Sequence, residues 1–170
     1  SSDVTGVGTA TQERAACEFG GDKGIFGFGY DGSNTASTNL VSNTGVVATD
    51  VTGVGTARRK LDACSYGEDK GIFGFGYDGS QLSMTNLVSN AGVVATDVTG
   101  VGTVRSGLAA CEYGEDKGIF GFGEDASGNV SMTNLVSNAG VVATDVTGVG
   151  TSRGDLAACS YGYDKGIFGF

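Results

Sequence analysis

The cysteines are the most reactive side chains of this chain, and they recur at a fixed spacing. They lie 47, 47 and 48 residues apart, at Cys17, Cys64, Cys111 and Cys159. A disulfide needs Cα atoms within about 7 Å of each other, whereas equivalent positions of stacked sheets lie about 8–10 Å apart. We therefore predict four reduced, buried thiols, each on the same strand face as the aromatic residue two positions later. A ring of metal-binding thiolates is the alternative, although no Cys-x-x-Cys pair or histidine supports it.

No histidine occurs in the sequence, so general acid–base chemistry would have to use carboxylates. The dipeptide Asp-Lys recurs at Asp22-Lys23, Asp69-Lys70, Asp116-Lys117 and Asp164-Lys165. A catalytic pair is usually unique in a chain, so four copies favour an ion pair in a turn. A calcium site at Asp125 and Asn129 would lack the ligand spacing of the known calcium loops. We predict that the protein is not an enzyme and has no cofactor and no metal.

Composition restricts the partners. The chain has 170 residues, 39% of them hydrophobic, with 32 glycines, no proline and no tryptophan. Its net charge of -9 would repel nucleic-acid phosphates. The apolar runs are too short for a membrane span. We therefore expect one globular domain over 1–170 that binds neither nucleic acid nor membrane.

The elements that must position these residues form a repeat of about 47 residues. In the second copy, four strands are predicted between turns: Leu61–Tyr66, Gly71–Gly76, Ser83–Ser89 and Val93–Val98. The dipeptide Asp78-Gly79 is typical of a hairpin turn. The third copy gains one residue between strands two and three, where a loop tolerates insertion. Four short antiparallel strands per repeat predict an all-β protein, a β-propeller with one blade per repeat.

Strand two has two unlike faces, because alternate side chains of a strand point in opposite directions. Phe73 and Phe75 are predicted on one face, and Gly74 on the other. We expect the phenylalanines of one unit to pack into the glycine face of the next. The residues with this structural role are Phe26, Phe28, Phe73, Phe75, Phe120, Phe122, Gly74 and Gly121.

The order of the motifs resembles the kelch-type propeller repeat. The second and third repeats begin with arginine and continue through Lys-Gly-Ile-Phe-Gly-Phe-Gly, an acidic turn and a Ser/Thr-rich strand, from Arg58 to Arg105 and again from Arg105 to Arg153. The chain departs from that family in having Gly-Phe-Gly instead of paired glycines and no tryptophan in strand four. The sequence of residues 38–50 is also similar to kelch-like arrays in virion and tail proteins of marine phages. This resemblance implies a virion or other extracellular location.

The blade units are predicted at about 11–57, 58–104 and 105–152, with a partial unit at 153–170 and an additional strand four in residues 1–10. The predicted end strands are Asp3–Val7 and Gly166–Phe170. They leave one blade a strand short, because strand four neighbours strand three. An imperfect four-bladed ring, chains joined end to end and a longer parent array all remain open. We favour self-association through the chain ends, because unpaired strand edges invite pairing.

The links between units and the turns after strand two meet at one end of a propeller. Aromatic and arginine side chains there are typical of binding rims. The predicted rim residues are Tyr30, Asp31, Arg58, Tyr77, Asp78, Arg105, Glu124, Asp125 and Arg153. The alternative is that the arginines pair with acids or carbonyls and fix the spacing of the blades.

The sequence therefore predicts a non-enzymatic structural or adhesive module whose partners are other protein chains. A propeller that binds surface glycans, with one shallow site per blade, is the second hypothesis.

Overall fold

The computed structural model describes residues 6–169, and its regular elements in that range are β-strands. In chain order they are β1 (Ala15–Phe19), β2 (Lys23–Gly27), β3 (Thr38–Val41), β4 (Asp62–Tyr66), β5 (Lys70–Tyr77), β6 (Gln81–Val88), β7 (Ala109–Tyr113), β8 (Lys117–Gly121), β9 (Glu124–Asp125), β10 (Gly128–Asn129), β11 (Thr133–Val136), β12 (Ala157–Tyr161) and β13 (Lys165–Gly169). The prediction of an all-β protein is confirmed. Within the described range, no helix is long and apolar enough to cross a membrane.

Each repeat forms one small antiparallel sheet. The sheets are β1-β2-β3, β4-β5-β6 and β7-β8-β11, and the fourth repeat contributes the pair β12-β13. The first hairpin turns sharply, with Tyr66 opposite Lys70 and with Gly67 and Glu68 at φ 59° and 70°. In the third repeat the inserted residue lies in a short extra hairpin, β9-β10. Three of the four predicted strands of each full repeat are therefore present.

The predicted fourth strand, at Val93–Val98 and its copies, is not a regular strand. It runs beside β6 but pairs there only through isolated bridges, Val94 with Val88 and Val98 with Thr85. Between these bridges the outer segment advances four residues while β6 advances three. A regular ladder needs equal steps on both strands. The outermost segment is therefore an irregular edge of the sheet.

Neighbouring sheets pack where a phenylalanine of the later sheet lies on a glycine of the earlier one. A Cβ atom placed on Gly27 would lie 2.8 Å from Cζ of Phe73, and one on Gly74 would lie 2.6 Å from Cζ of Phe120. Both rings have 0% exposure. The missing glycine side chain is what lets the two sheets approach this closely.

The two phenylalanines of β5 lie on opposite faces, which corrects the prediction that they share one. Phe75 has a left-handed φ of 62°, and the pairing of β5 with β6 shifts register beside it. Its ring therefore turns toward the following sheet, where it meets Phe120 edge-on at a centroid distance of 5.2 Å. Phe73 points to the preceding sheet and meets Phe28 at the same distance. Simple alternation fails because the left-handed backbone at Phe75 and the register shift beside it break the extended pleat.

Five of the six phenylalanines predicted between units are buried: Phe28, Phe73, Phe75, Phe120 and Phe122.

Phe26 is 41% exposed, contrary to the prediction. It belongs to the first sheet and faces the side on which a preceding sheet would lie. The described residues supply no such sheet.

The first strands of the four units lie side by side along one edge of the stacked sheets, which we call the inner end. Here the backbones form a ladder, in which the N–H groups of Lys60, Gly107 and Asp155 donate to the carbonyls of Glu13, Lys60 and Gly107 at 3.3, 2.9 and 2.8 Å. Strands β1, β4, β7 and β12 line one common groove. No closed propeller ring is detected among residues 6–169. The predicted end strand Asp3–Val7 falls largely outside the described residues.

Candidate functional site

Two arginines predicted on a ligand-binding rim, Arg58 and Arg105, are buried between units, with 0% exposure. The guanidinium carbon of Arg58 lies 4.2 Å from the ring centre of Phe28 in the preceding sheet, and its Nε donates to the carbonyl of Phe75 at 2.8 Å. Arg105 lies over Phe75 in the same way, at 4.3 Å. Burial lowers the pKa of both to about 10, so both stay charged at neutral pH. Both arginines hold neighbouring sheets together, which is the alternative role predicted for them from the sequence. Neither is accessible to a ligand.

A polar network ties each unit together beside this arginine. In the second unit Asn86 donates to the carboxylate of Asp97 at 2.9 Å, and the N–H and hydroxyl groups of Thr56 donate to it at 3.0 and 2.8 Å. In the third unit Nη2 of Arg105 donates to Oδ1 of Asn134 at 2.6 Å. These bonds join the start of a unit, or the link before it, to the third strand and the outer segment of that unit.

In the first unit, the arginine that contacts the asparagine comes from a different sequence position. Thr11 stands where the other units have arginine, and Arg14 stands where they have leucine. Nη2 of Arg14 donates to Oδ1 of Asn39 at 2.7 Å, and Asn39 is the counterpart of Asn134. The two departures from the repeat therefore compensate each other.

The two tyrosines of the predicted rim, Tyr30 and Tyr77, are both in contact with an arginine that the sequence analysis did not select. The guanidinium carbon of Arg59 is 4.6 Å from the ring centre of Tyr30 and 5.7 Å from that of Tyr77. Cation–π contacts of this kind occupy one face of each ring. That face is therefore not free to stack on a sugar.

The aspartates of the predicted rim stabilise turns. Oδ1 of Asp31 accepts the N–H of Ser33 at 3.1 Å, and Asp78 and Asp125 accept the N–H two positions later at 3.1 and 2.7 Å. Such bonds are a common reason for aspartate in a turn. In the part of the chain that the structure describes, no three His, Cys, Asp or Glu side chains are grouped to hold a metal ion.

The last two residues of the predicted rim are also engaged within the chain. Glu124 lies 3.4 Å from Nζ of Lys60 and accepts the hydroxyl of Ser106 at 3.2 Å. Arg153 lies 5.3 Å from the ring centre of Phe122. The structure therefore distributes the predicted rim over turns, ion pairs and unit interfaces.

A cleft of about 520 Å³ opens where the four units meet at the inner end of their first strands. All four units contribute to its lining, which consists of Glu13, Arg14, Lys60, Leu61, Asp62, Gly107, Leu108, Asp155 and Leu156. We call this the central cleft. Its apolar part is formed by the three leucines, two of which are buried. The sequence did not reveal this cleft because its charged residues differ from unit to unit, although leucine recurs in three of them.

Asp62 is the carboxyl group of the central cleft that burial affects most. Its two oxygens accept the N–H groups of Ala63 and Ala110 at 2.9 and 2.7 Å. Burial raises its pKa to about 6, and the two bonds offset only part of that effect. The other units have alanine at this position, at Ala15, Ala109 and Ala157. Asp62 is thus a feature of one unit and not of the repeat.

All four cysteines are free. Cys64 and Cys111 are buried, Cys17 is half-buried, and Cys159 is exposed. The prediction of inaccessibility is therefore wrong for Cys159, because no further sheet covers the last unit in the described chain. Burial raises the pKa of Cys17 to about 12, so its thiolate is strongly disfavoured. Its sulfur points at Gly71 of the next unit, where a Cβ atom would lie only 2.5 Å away.

The repeated Asp-Lys pair lies in the first turn of each sheet. In the second unit Nζ of Lys70 lies 2.6 Å from Oδ1 of Asp69, and Asn90 donates to the other oxygen at 3.0 Å. The hydrogen bonds from these two side chains lower the pKa of Asp69. The Asp69 carbonyl accepts the N–H of Gly20 in the preceding unit at 2.7 Å. The pair thus belongs to a turn that also joins neighbouring units.

A comparison with models of known protein families and a comparison with curated protein sequences found no match. The similarity to kelch repeats therefore remains a hypothesis.

Proposed function

We propose that the protein is a non-enzymatic structural and adhesive module of a virion or other extracellular assembly, with its sheets arranged as the blades of a propeller. Each of the first three sheets carries a phenylalanine on one face, and on the other face a glycine beside a second phenylalanine. The contact between the first and second sheets is therefore repeated between the second and third. Proteins built from such units gain length and surface without needing a new core.

The face-to-face packing of the sheets supports the propeller arrangement. At the inner end, neighbouring backbones are close enough for hydrogen bonds of 2.8 to 3.3 Å. Farther out, a whole phenylalanine ring lies between one sheet and the next. Small antiparallel sheets that pack face to face in sequence order are the building pattern of a propeller.

The observation that carries the proposal is that the first and last sheets expose the two halves of this repeated interface. Phe26 of the first sheet is 41% exposed, whereas its counterpart Phe73 is 0% exposed. Ile167 of the last sheet is 53% exposed, whereas Ile72 is 0% exposed. We propose that the first sheet of a second copy packs on the last sheet, as each sheet does inside the chain. Such a head-to-tail contact builds rings or open strings.

Sedimentation velocity over about a hundredfold range of concentration tests this assembly, because association shifts with concentration by mass action. We expect the mass to rise above 17.0 kDa as concentration increases. Ile167→Glu and Phe26→Ser should each abolish the increase, because each removes one half of the contact. Val141→Glu, on an exposed valine of the irregular outer segment, is the matched control and should leave it unchanged. A species that stays at 17.0 kDa at every concentration would contradict the proposal.

A further inference from the structure

The third strand and the outer segment that follows it form a nearly invariant stretch of the repeat. Its three copies are residues 38–51, 85–98 and 133–146. They are identical except at one position, which is threonine in the first copy and alanine in the other two. In the first three units this stretch pairs with the outer edge of the second strand, through β3, β6 and β11. Among residues 6–169 the last sheet has only β12 and β13, so the outer edge of β13 is unpaired there.

In the complete units, a valine of the third strand fills the space beside a glycine of the second. Val88 and Val136 have 0% exposure. Cβ atoms placed on Gly71 and Gly118 would lie 3.5 and 3.3 Å from the Cβ atoms of these valines. Gly166 is the counterpart of these glycines in the last unit. The atoms nearest to a Cβ atom placed on it belong to the preceding unit, at Cys111, Glu112 and Tyr113.

The outer segment also supplies an aspartate that binds the link at the beginning of its unit. In each of the first three units this carboxylate accepts the hydroxyl group of a link threonine at 2.8 Å and its N–H group at 2.9 to 3.0 Å. The pairs are Thr9 with Asp50, Thr56 with Asp97 and Thr103 with Asp145. Thr151 is the fourth link threonine, and residues 6–169 provide no such aspartate for it. Its two donor groups mark where an incoming aspartate would bind.

A leucine of the third unit is uncovered for the same reason. In the earlier contacts, a glycine of the outer segment packs on the third-strand leucine of the preceding unit. A Cβ atom placed on Gly92 would lie 2.9 Å from Cδ2 of Leu40. One placed on Gly140 would lie 3.0 Å from Cδ2 of Leu87. Both leucines are partly buried, whereas their counterpart Leu135 is 37% exposed.

We propose that the last sheet binds, in trans, a third-strand segment of this same repeat, supplied by another chain built from that repeat. The segment pairs with the outer edge of β13 in the register of β5 and β6, where Ile72 lies opposite Leu87. Main-chain hydrogen bonds provide affinity in such strand addition, and side chains that fit their pockets provide specificity. Here the valine meets Gly166, the glycine meets Leu135 and the aspartate meets Thr151. The segment occupies the edge of the last sheet, whereas head-to-tail packing uses its face, so neither proposal depends on the other.

Fluorescence anisotropy of a labelled peptide with the sequence of residues 83–98 tests the proposal. The protein carries Phe26→Ser, which removes the head-to-tail contact and leaves the last sheet unchanged. We expect saturable binding, slower hydrogen exchange at the amides of residues 165–169, and no binding of a peptide with the same composition in scrambled order. Because head-to-tail association is already removed, its presence or absence in the parent protein does not affect this result.

Substitutions in the peptide test the register. Asp97→Asn should weaken binding about tenfold, the effect expected for loss of a hydrogen bond to a charged group. Val93→Ser, at a position that is 65% exposed within the chain, should change affinity less than about twofold, as is usual for surface positions.

A substitution in the protein tests the partner of that aspartate. Thr151→Val removes the hydroxyl group that Asp97 of the peptide would meet. It should weaken the parent peptide about fivefold and the Asp97→Asn peptide less than about twofold, because the two changes remove the same bond.

Three results would overturn the proposal. They are no binding of the parent peptide, equal binding of the scrambled peptide, and losses that simply add when Thr151→Val is combined with Asp97→Asn.

Discussion

Replacing Gly74 by alanine should separate two units whose packing depends on a missing side chain. The new Cβ atom would lie 2.6 Å from Cζ of Phe120, where ordinary contact begins at 3.4 Å. The ring cannot withdraw, because it is fully buried and packs edge-on against Phe75. The third sheet would therefore have to move by about 0.8 Å, and overpacking of this kind costs about 1–3 kcal/mol.

The same change in the last sheet is the matched control. Gly169 is the counterpart of Gly74, and a Cβ atom placed there meets no atom within 4 Å. Neither glycine has a positive φ, so alanine introduces no backbone strain at either position. Gly169→Ala should be neutral or stabilise the fold by up to about 1 kcal/mol, because alanine restricts the unfolded chain.

Urea unfolding monitored by circular dichroism, at a concentration below any association, measures both effects. We expect a lower free energy of unfolding for Gly74→Ala and no loss for Gly169→Ala. If the two variants differ by less than about 0.5 kcal/mol, a difference within the usual range for surface changes, the packing argument is wrong.

Three further predictions concern two departures from the repeat and the exposure of the cysteines. Arg14→Leu, which leaves a buried amide oxygen without its donor, should lower the free energy of unfolding by about 1 kcal/mol, and adding Thr11→Arg should restore it; a double variant no better than the single one would contradict the compensation. Because the folded-state pKa of Asp62 is raised from 3.8 to about 6, its destabilising effect is absent below about pH 4, grows up to about pH 6 and then stays constant. Asp62→Asn should therefore match the parent in acid and exceed its stability by up to about 3 kcal/mol at neutral pH, and identical pH profiles in urea unfolding would refute this. Thiol labelling of dilute native protein, followed by mass spectrometry, should modify Cys159 rapidly and Cys64 only on unfolding; equal rates at the two positions would contradict the described burial.

Local sequence patterns predicted the first three strands of each unit well. The Asp78-Gly79 turn and the exposed hairpin tips mark their ends, and glycines in strand two indicated close packing against a neighbour. The prediction of a fourth strand was wrong because strand pairing depends on equal steps along two strands, which the sequence of one segment does not reveal. The predicted face of Phe75 was wrong because the left-handed backbone of this residue breaks the alternation on which the prediction depended.

The candidate site could be predicted only in part. Arginine beside aromatic residues suggested a rim, but the same composition suits a buried guanidinium stacked on a ring, as at Arg58. Only three-dimensional contacts distinguish these two arrangements. The central cleft could not be predicted because its residues come from four units, and because Asp62 has no counterpart in the other three units.

The contact between one unit's phenylalanine and the preceding unit's glycine is tested most directly by nuclear Overhauser effects on protein with labelled phenylalanine rings. The structure predicts cross-peaks from the ring protons of Phe120 to the Hα protons of Gly74, and from those of Phe73 to Gly27. Rings that show cross-peaks only to residues of their own unit would contradict the stacking of the sheets.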